Sequence, residues 1–298
     1  MIKSVTLTQR ILHERPWFTK ALTMANELEN VRLGFVGCGV MAESMIAGLL
    51  NQKLVESSQI TGSHPRDARR SELTEKYGIR MVESNAEAVM ADNTAAVIAV
   101  KPQRIAAVLK DLKGSVAPGD LVISIVAGAT IAKISGELGT EHVVRAMPNT
   151  PSQIGAGITA WTCGEAVSDG ARRLVRRLLG ALGKELYVET ENMIDMATSL
   201  SATGPTYIFM VMEALTDAGV HLGFSRDMAK ELVQETMLGS VKFAMESHKH
   251  PAELRNMVTS PGGTSAEAIY QMEKGTLRTV LSKAVYAAYK RAVDLGKK

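Results

Sequence analysis

Residues 31–46 read VRLGFVGCGVMAESMI, and this stretch restricts the fold more than any other in the chain. A β-forming run leads into Gly37-Cys38-Gly39-Val40-Met41-Ala42, and MAESMIAGLLNQ then continues as a helix. Gly37 permits a tight turn, Gly39 lets bare backbone approach a ligand, and the small Ala42 keeps the helix close to the strand. G-x-G-x-x-A between a strand and a helix is the fingerprint of a dinucleotide site, with the pyrophosphate seated on the helix N-terminus. Taken alone the motif is weak, so its surroundings must carry it.

Those surroundings alternate. Between Val31 and about Thr190, the runs VRLGFVG, SQITGS, AAVIAVKP, DLVISIVAG, HVVRAMP, GITAWT and KELYVE are separated by helical stretches. Strands that alternate with helices predict an α/β domain whose parallel, doubly wound sheet is covered on both faces. From about Glu191 the strand signals stop. YIFMVMEALTDAGV, residues 207–220, is apolar nearly all round and predicts a helix buried on every side. Ala229, Leu232, Val233, Thr236, Met237, Val241 and Ala244 form a stripe at 3.6-residue spacing, and Leu277, Val280, Leu281, Ala284, Val285, Ala288 and Ala292 form another. The chain therefore divides into an extension over 1–30, a dinucleotide-binding domain over 31–190 and an all-α domain over 191–298. About a hundred residues of such helices cannot hide their apolar surface unaided, which predicts a homodimer interface. The competing arrangement is a monomer whose helices pack wholly on the sheet domain.

Composition narrows the partners. The chain has 298 residues, 46% of them hydrophobic, and Lys+Arg 34 against Asp+Glu 31 leaves a net charge of only +3. No global basic field points to nucleic acid, and Arg172, Arg173, Arg176 and Arg177 have the spacing of a solvated helix face. No apolar run approaches the roughly 18 residues of a membrane span. Cys38 and Cys163 make neither a disulfide framework nor a metal pattern, and His248 and His250 beside Pro251 suit a turn better than a metal site. A cytoplasmic protein without a metal is expected. Residues 1–30, with Lys3, Arg10, Arg15 and Lys20, slightly resemble a transit peptide but suit a loose extension better.

Two further stretches carry chemistry. An NAD site normally shows Asp or Glu about 20 residues after the glycine loop, at the end of the second strand. Here that place reads Thr61-Gly62-Ser63-His64-Pro65-Arg66, followed by Arg69 and Arg70. The missing carboxylate and nearby donors predict that NADPH is preferred, with NADH possible as an alternative. VTSPGGTSAEAI, residues 258–269, interrupts the helical half with Pro261-Gly262-Gly263 before Thr264 and Ser265. It reads either as a linker or as backbone N–H groups bared at a helix start, where an anion can sit.

Together GFVGCGVMAESM, AVKPQ, SIVAG, VVRAMPNTPSQIGAG, SATGPTYIFMVMEAL and VTSPGGTSAEAI resemble the pyrroline-5-carboxylate reductase family, in order, from Val31 to the C-terminus. The resemblance implies a Rossmann domain followed by a helical dimerisation domain, and assembly of dimers into larger rings. It implies NAD(P)H-dependent reduction of 1-pyrroline-5-carboxylate to L-proline, the last step of proline biosynthesis. It further implies that Gly37, Gly39, Val40, Met41 and Ala42 hold the pyrophosphate, with Ser63 and Arg66 near the adenosine phosphate. Asn85, Ala99, Val100, Lys101 and Pro102 would line the nucleotide pocket, and Ala127, Gly128 and Asn149 would complete its nicotinamide end. A cyclic imine arrives partly as iminium and needs no strong general base. The protein must grip its carboxylate and offer the ring nitrogen a hydroxyl. Gly262, Gly263 and Thr264 would supply the grip and Ser265 the hydroxyl, in a cleft between domains that the loop could reach from a partner subunit.

This chain has Ser265 where the family usually has threonine, and Ala202 and Thr206 add bulk beside Gly204-Pro205. A β-hydroxyacid dehydrogenase of similar architecture would use a lysine on the helix after Gly204, which carries Glu213 and no lysine before Lys230. A non-catalytic NADP-binding regulatory relative would have had no need of the intact Pro-Gly-Gly and its hydroxyl.

Overall fold

The computed structural model describes residues 28–91 and 94–297. Most of the expected N-terminal extension lies outside that range. Its last residues, however, belong to the fold: Leu28 is buried in the core, and its carbonyl accepts a 2.7 Å hydrogen bond from Gln59 Nε2.

Eight strands form one sheet: β1 (Arg32–Val36), β2 (Ile60–Ser63), β3 (Arg80–Val82), β4 (Thr94–Ile98), β5 (Leu121–Ser124), β6 (Val143–Met147), β7 (Gly157–Cys163) and β8 (Gly183–Tyr187). Their order is β3-β2-β1-β4-β5-β6-β7-β8, and the first six are the doubly wound dinucleotide-binding order. Every neighbouring pair is parallel except β6 and β7. The exception departs from the all-parallel expectation for a steric reason. The connection over 148–156 is only a 3₁₀ turn, Thr150–Ile154, whereas a parallel return needs a dozen or more residues.

The period-2 pattern of the strands sorts the helices. Leu33, Phe35, Ala95, Val97, Leu121 and Ile123 face the side covered by α1 (Val40–Asn51) and α6 (Asp169–Gly180). On the opposite side Val36, Ala96, Ile98 and Val122 pack under α4 (Ile105–Leu112) and α5 (Ile131–Leu138). Two further helices, α2 (Asp67–Tyr77) and α3 (Asn85–Val89), flank β3 in sequence. The arginine cluster of α6 is more than a solvated face. Arg172 and Arg176 each lie 5.9 Å from a ring centroid, of Tyr187 and Trp161 respectively, in cation–π geometry.

After β8 the chain is helical: α7 (Asn192–Ala197), a π-helical turn over Thr198–Ala202, α8 (Gly204–His221), α9 (Arg226–Ser247), α10 (Pro251–Met257), α11 (Thr264–Lys274) and α12 (Leu277–Gly296). The described residues up to Ala202, joined by those from Tyr289 on, make one compact unit, and Thr203–Ala288 make the second. Starts in the second unit are capped by local chemistry. Ser225 Oγ accepts from the Met228 N–H, and His250 Nδ1 accepts from the Ala252 N–H beside Pro251. The helix expected to be buried on every side is not covered within one chain: on α8, Phe209 is 56% and Met210 66% exposed. No described helix is long and apolar enough to cross a membrane.

Candidate functional site

The proposed nucleotide residues gather at one edge of the sheet. Gly37 follows β1, Ser63 ends β2, Asn85 opens α3, Ala99–Pro102 follow β4, Ala127–Gly128 follow β5, and Asn149 follows β6. All are at or beyond the carboxyl ends of parallel strands, and the order reverses between β1 and β4, where such sheets bind ligands. At that reversal the turn is tightest. Gly37 has φ +86°, and a Cβ there would come within 2.4 Å of Val100 Cγ1. Gly39 is its opposite: a Cβ there would meet nothing within 4 Å, so its backbone borders open space.

The turn is held from below. The Cys38 N–H donates to the Ser63 carbonyl at 2.9 Å and the Ala99 N–H to the Val36 carbonyl at 2.9 Å. Ser63 is fully buried; its hydroxyl donates to Asn85 Oδ1 at 2.7 Å and lies 3.4 Å from the Gly37 nitrogen. Asn85 Nδ2 in turn donates to Asp111 Oδ2 at 2.9 Å. Gly39, as N-cap of α1, brings no side-chain cap, so the first-turn N–H groups of Val40, Met41 and Ala42 are bare donors at a positive helix end. An open Gly39 before an uncapped twelve-residue helix fits a pyrophosphate.

The three arginines after β2 separate into different jobs. Arg69 contacts Glu43 at 2.5 Å and Glu72 at 2.8 Å, and its Nε donates to the Cys38 carbonyl at 3.2 Å. Arg70 is bound to Asp67 and to the carbonyls of His64 and Pro65. Arg66 is exposed, and among the described residues its guanidinium has no ion-pair partner. Its backbone N–H donates to His64 Nδ1, which makes that nitrogen the acceptor and places any neutral-ring proton on Nε2. Burial lowers the His64 pKa, and the charges of Arg66, Arg69 and Arg70 lower it further.

Glu43 escaped the sequence reading. It lies in the first turn of α1, beside the anion seat, and accepts from Arg69, Lys76 at 2.8 Å and Tyr77 at 2.9 Å. Burial pushes its carboxyl up, but the three donors outweigh burial and hold it at about 2. A carboxylate so close to a phosphate seat was the available signal, because it demands neutralising partners. Cys38, in the same loop, is buried and its thiol is pushed up to about 12 by burial, so it behaves as a small filler.

At the far end of the edge, Lys101 is exposed and starts the 3₁₀ turn Pro102–Arg104. Gly128 packs on the end of α12, where a Cβ would come within 2.7 Å of the Leu295 carbonyl carbon. Asn149 serves structure: Oδ1 accepts from the Ile158 N–H at 3.0 Å, and Nδ2 is 3.5 Å from Ser201 Oγ.

In the second unit the Pro-Gly-Gly loop opens α11. Gly262 takes φ +70° with nothing within 4 Å of a built Cβ, which a side-chain-bearing residue adopts only with strain. Gly263 is the N-cap and offers no side-chain cap. Its own N–H already donates to the Ser260 carbonyl at 3.0 Å, so the expected Gly263 donor is spent. The first-turn N–H groups of Thr264 and Ser265 receive no side-chain cap, and Ser265 is half-buried.

Comparison with known proteins gives this geometry a lineage. Residues 191–295 match the family model described as pyrroline-5-carboxylate reductase dimerisation, and residues 32–128 match one described as NADP oxidoreductase, coenzyme F420-dependent. A pyrroline-5-carboxylate reductase of Synechocystis sp. is 38% identical over 90% of this chain and 100% of its own length. That of Pseudomonas aeruginosa is 40% identical over 89% of this chain and 96% of its own. A crystal structure of Plasmodium falciparum pyrroline carboxylate reductase with NADP bound superposes with a TM-score of 0.82 at 30% identity, covering 90% of this chain and 99% of that one. With this identity sustained across both units, the chain belongs to the pyrroline-5-carboxylate reductase family.

Proposed function

We propose that this chain reduces 1-pyrroline-5-carboxylate to L-proline with NADPH preferred over NADH, as a homodimer that assembles further into a ring, in the cytoplasm. The observation that carries the cofactor preference is the division of labour after β2. Arg69 and Arg70 are occupied within the protein, while the Arg66 guanidinium is uncommitted where an NAD site would place a carboxylate. When bound, NADPH supplies the hydride for the imine carbon.

The chain's own residues bind and orient. First-turn N–H groups of α1 receive the pyrophosphate, and Arg66 pairs with the 2′-phosphate. Ser63 and Asn85 act one layer below, fixing the Gly37 turn. Ala99–Pro102, Ala127, Gly128 and Asn149 border the remainder of the dinucleotide. Thr264 and Ser265 N–H groups at the α11 start hold the substrate carboxylate, with Gly262 and Gly263 leaving the approach clear. The Ser265 hydroxyl bonds the ring nitrogen, which carries the proton of the iminium. The dehydrogenase alternative lacks its lysine on α8, which carries Glu213 instead.

NADPH oxidation with pyrroline-5-carboxylate tests the reading. The wild type turns over; Arg66→Ala raises KM for NADPH about 10-fold or more and leaves that for NADH in place, as loss of one charge-assisted contact predicts. Ser265→Ala lowers kcat about 10-fold with NADPH affinity kept. No turnover with that imine, or an unchanged cofactor preference in Arg66→Ala, sinks the corresponding assignment.

A further inference from the structure

Arg145 is a charged side chain in the middle of the sheet, on β6, and is 1% exposed. A buried guanidinium is costly unless it is paired. One of its terminal nitrogens lies 3.0 Å from Glu191 Oε1 and the other 2.6 Å from Asp195 Oδ1, while Nε is buried without a partner. The same Glu191 Oε1 accepts the Ile131 N–H at 2.8 Å, the first N–H of α5. One carboxylate oxygen therefore joins β6 to the end of the turn over 125–130. The beginning of that turn is fixed separately: Ser124 pairs with Arg145 across the sheet, and the Ile125 N–H donates to the Ile98 carbonyl at 3.0 Å.

We propose that Arg145 is a positioning residue, which through Glu191 holds the Ala127–Gly128 turn in the shape that receives the nicotinamide half of the dinucleotide. Asp195 holds the second terminal nitrogen and stops the guanidinium from turning away. Replacing the trio by apolar residues would preserve packing but release the α5 start, and that is why the chain keeps a buried charge here. The inference rests on reading Ala127 and Gly128 as the nicotinamide end.

The test is equilibrium binding of two ligands to the full-length protein: NADPH, and adenosine 2′,5′-bisphosphate, which lacks the nicotinamide half. Glu191→Ala removes the shared oxygen from a half-exposed position, so folding is less at risk than with Arg145. Its affinity for NADPH falls about 10-fold, its affinity for the bisphosphate is unchanged, and Glu191→Gln, which keeps an acceptor oxygen, recovers most of the loss. Arg145→Lys shifts the ratio of the two affinities in the same direction. A ratio that stays at the wild-type value, whether both affinities fall or neither does, overturns the proposal. Ala127→Leu tests the underlying reading independently: if it leaves the ratio unchanged, the turn is not the nicotinamide end, whatever Glu191→Ala does.

Discussion

Glu43 shows how a single carboxylate can serve a site built for anions. Alone, its charge in the first turn of α1 would repel a pyrophosphate at the same helix end. With Arg69 and Lys76 on it, and Glu72 on Arg69, the four linked charges cancel, and Arg69 also reaches the Cys38 carbonyl of the glycine loop. The folded carboxyl titrates at about 2 against an ordinary value of 4.5. A depressed folded pKa contributes stability that is fully present above 4.5 and is lost as pH falls toward 2. Glu43→Gln is therefore expected to be less stable at pH 7 by about 1–3 kcal/mol and to lose less on acidification between pH 5 and 2.5. Urea midpoints across that range check it; parallel curves for the two proteins would show that Glu43 contributes nothing. Gly37 was legible because its positive φ and the nearby Val100 leave room only for glycine, and Gly39 through its place in the motif. The partners of Glu43 were not, since they come from α2, 26 to 34 residues away. The same limit applied to Gly263, whose spent N–H depends on a turn back to Ser260 that no propensity announces.

Helices record which of their faces are apolar but not what covers them. The 3.6-residue stripes of α9 and α12 and the all-round apolar run of α8 do fall on helices, yet Ile208, Phe209, Met210, Leu232 and Val241 are exposed in a single chain. Surface of this kind marks an interface, and the dimerisation family model spans these same helices. The strands were legible for a simpler reason: alternation along β1, β4 and β5 assigns each side chain to one of two covered faces. The reversed β7 was not, because direction depends on the length of the preceding connection rather than on the pattern of the strand. A charge placed in the exposed apolar face should oppose association while sparing the chain's own core. Phe209→Asp is expected to weaken the dimer about 100-fold or more. Light scattering at micromolar concentration would then read 32.0 kDa for the variant, and twice that or a higher multiple for the wild type. A wild type at the mass of one chain, or a variant that stays assembled, would remove α8 from the interface.

Two compact units in one chain make different demands on the solution. The sheet unit has a closed core on both faces and keeps its bare donors for a ligand, so its stability should answer to NADPH. A ligand that binds only the folded state adds about 2.7 kcal/mol at 100 times its Kd. Among its described residues the helical unit buries little beyond Ala229 and Thr216, so its stability should answer to protein concentration. Amide hydrogen exchange separates the two responses. NADPH at constant protein concentration should slow exchange most in β1, the glycine loop and α1. Dilution from high to low micromolar protein without NADPH should speed exchange in α8 and α9 first. The two units would then share a chain but not a stability, with association supplying the core that the helices lack. If dilution leaves α8 and α9 protected while β1 and α1 open, the apolar helical surface is stable uncovered and association is not what holds the second unit together.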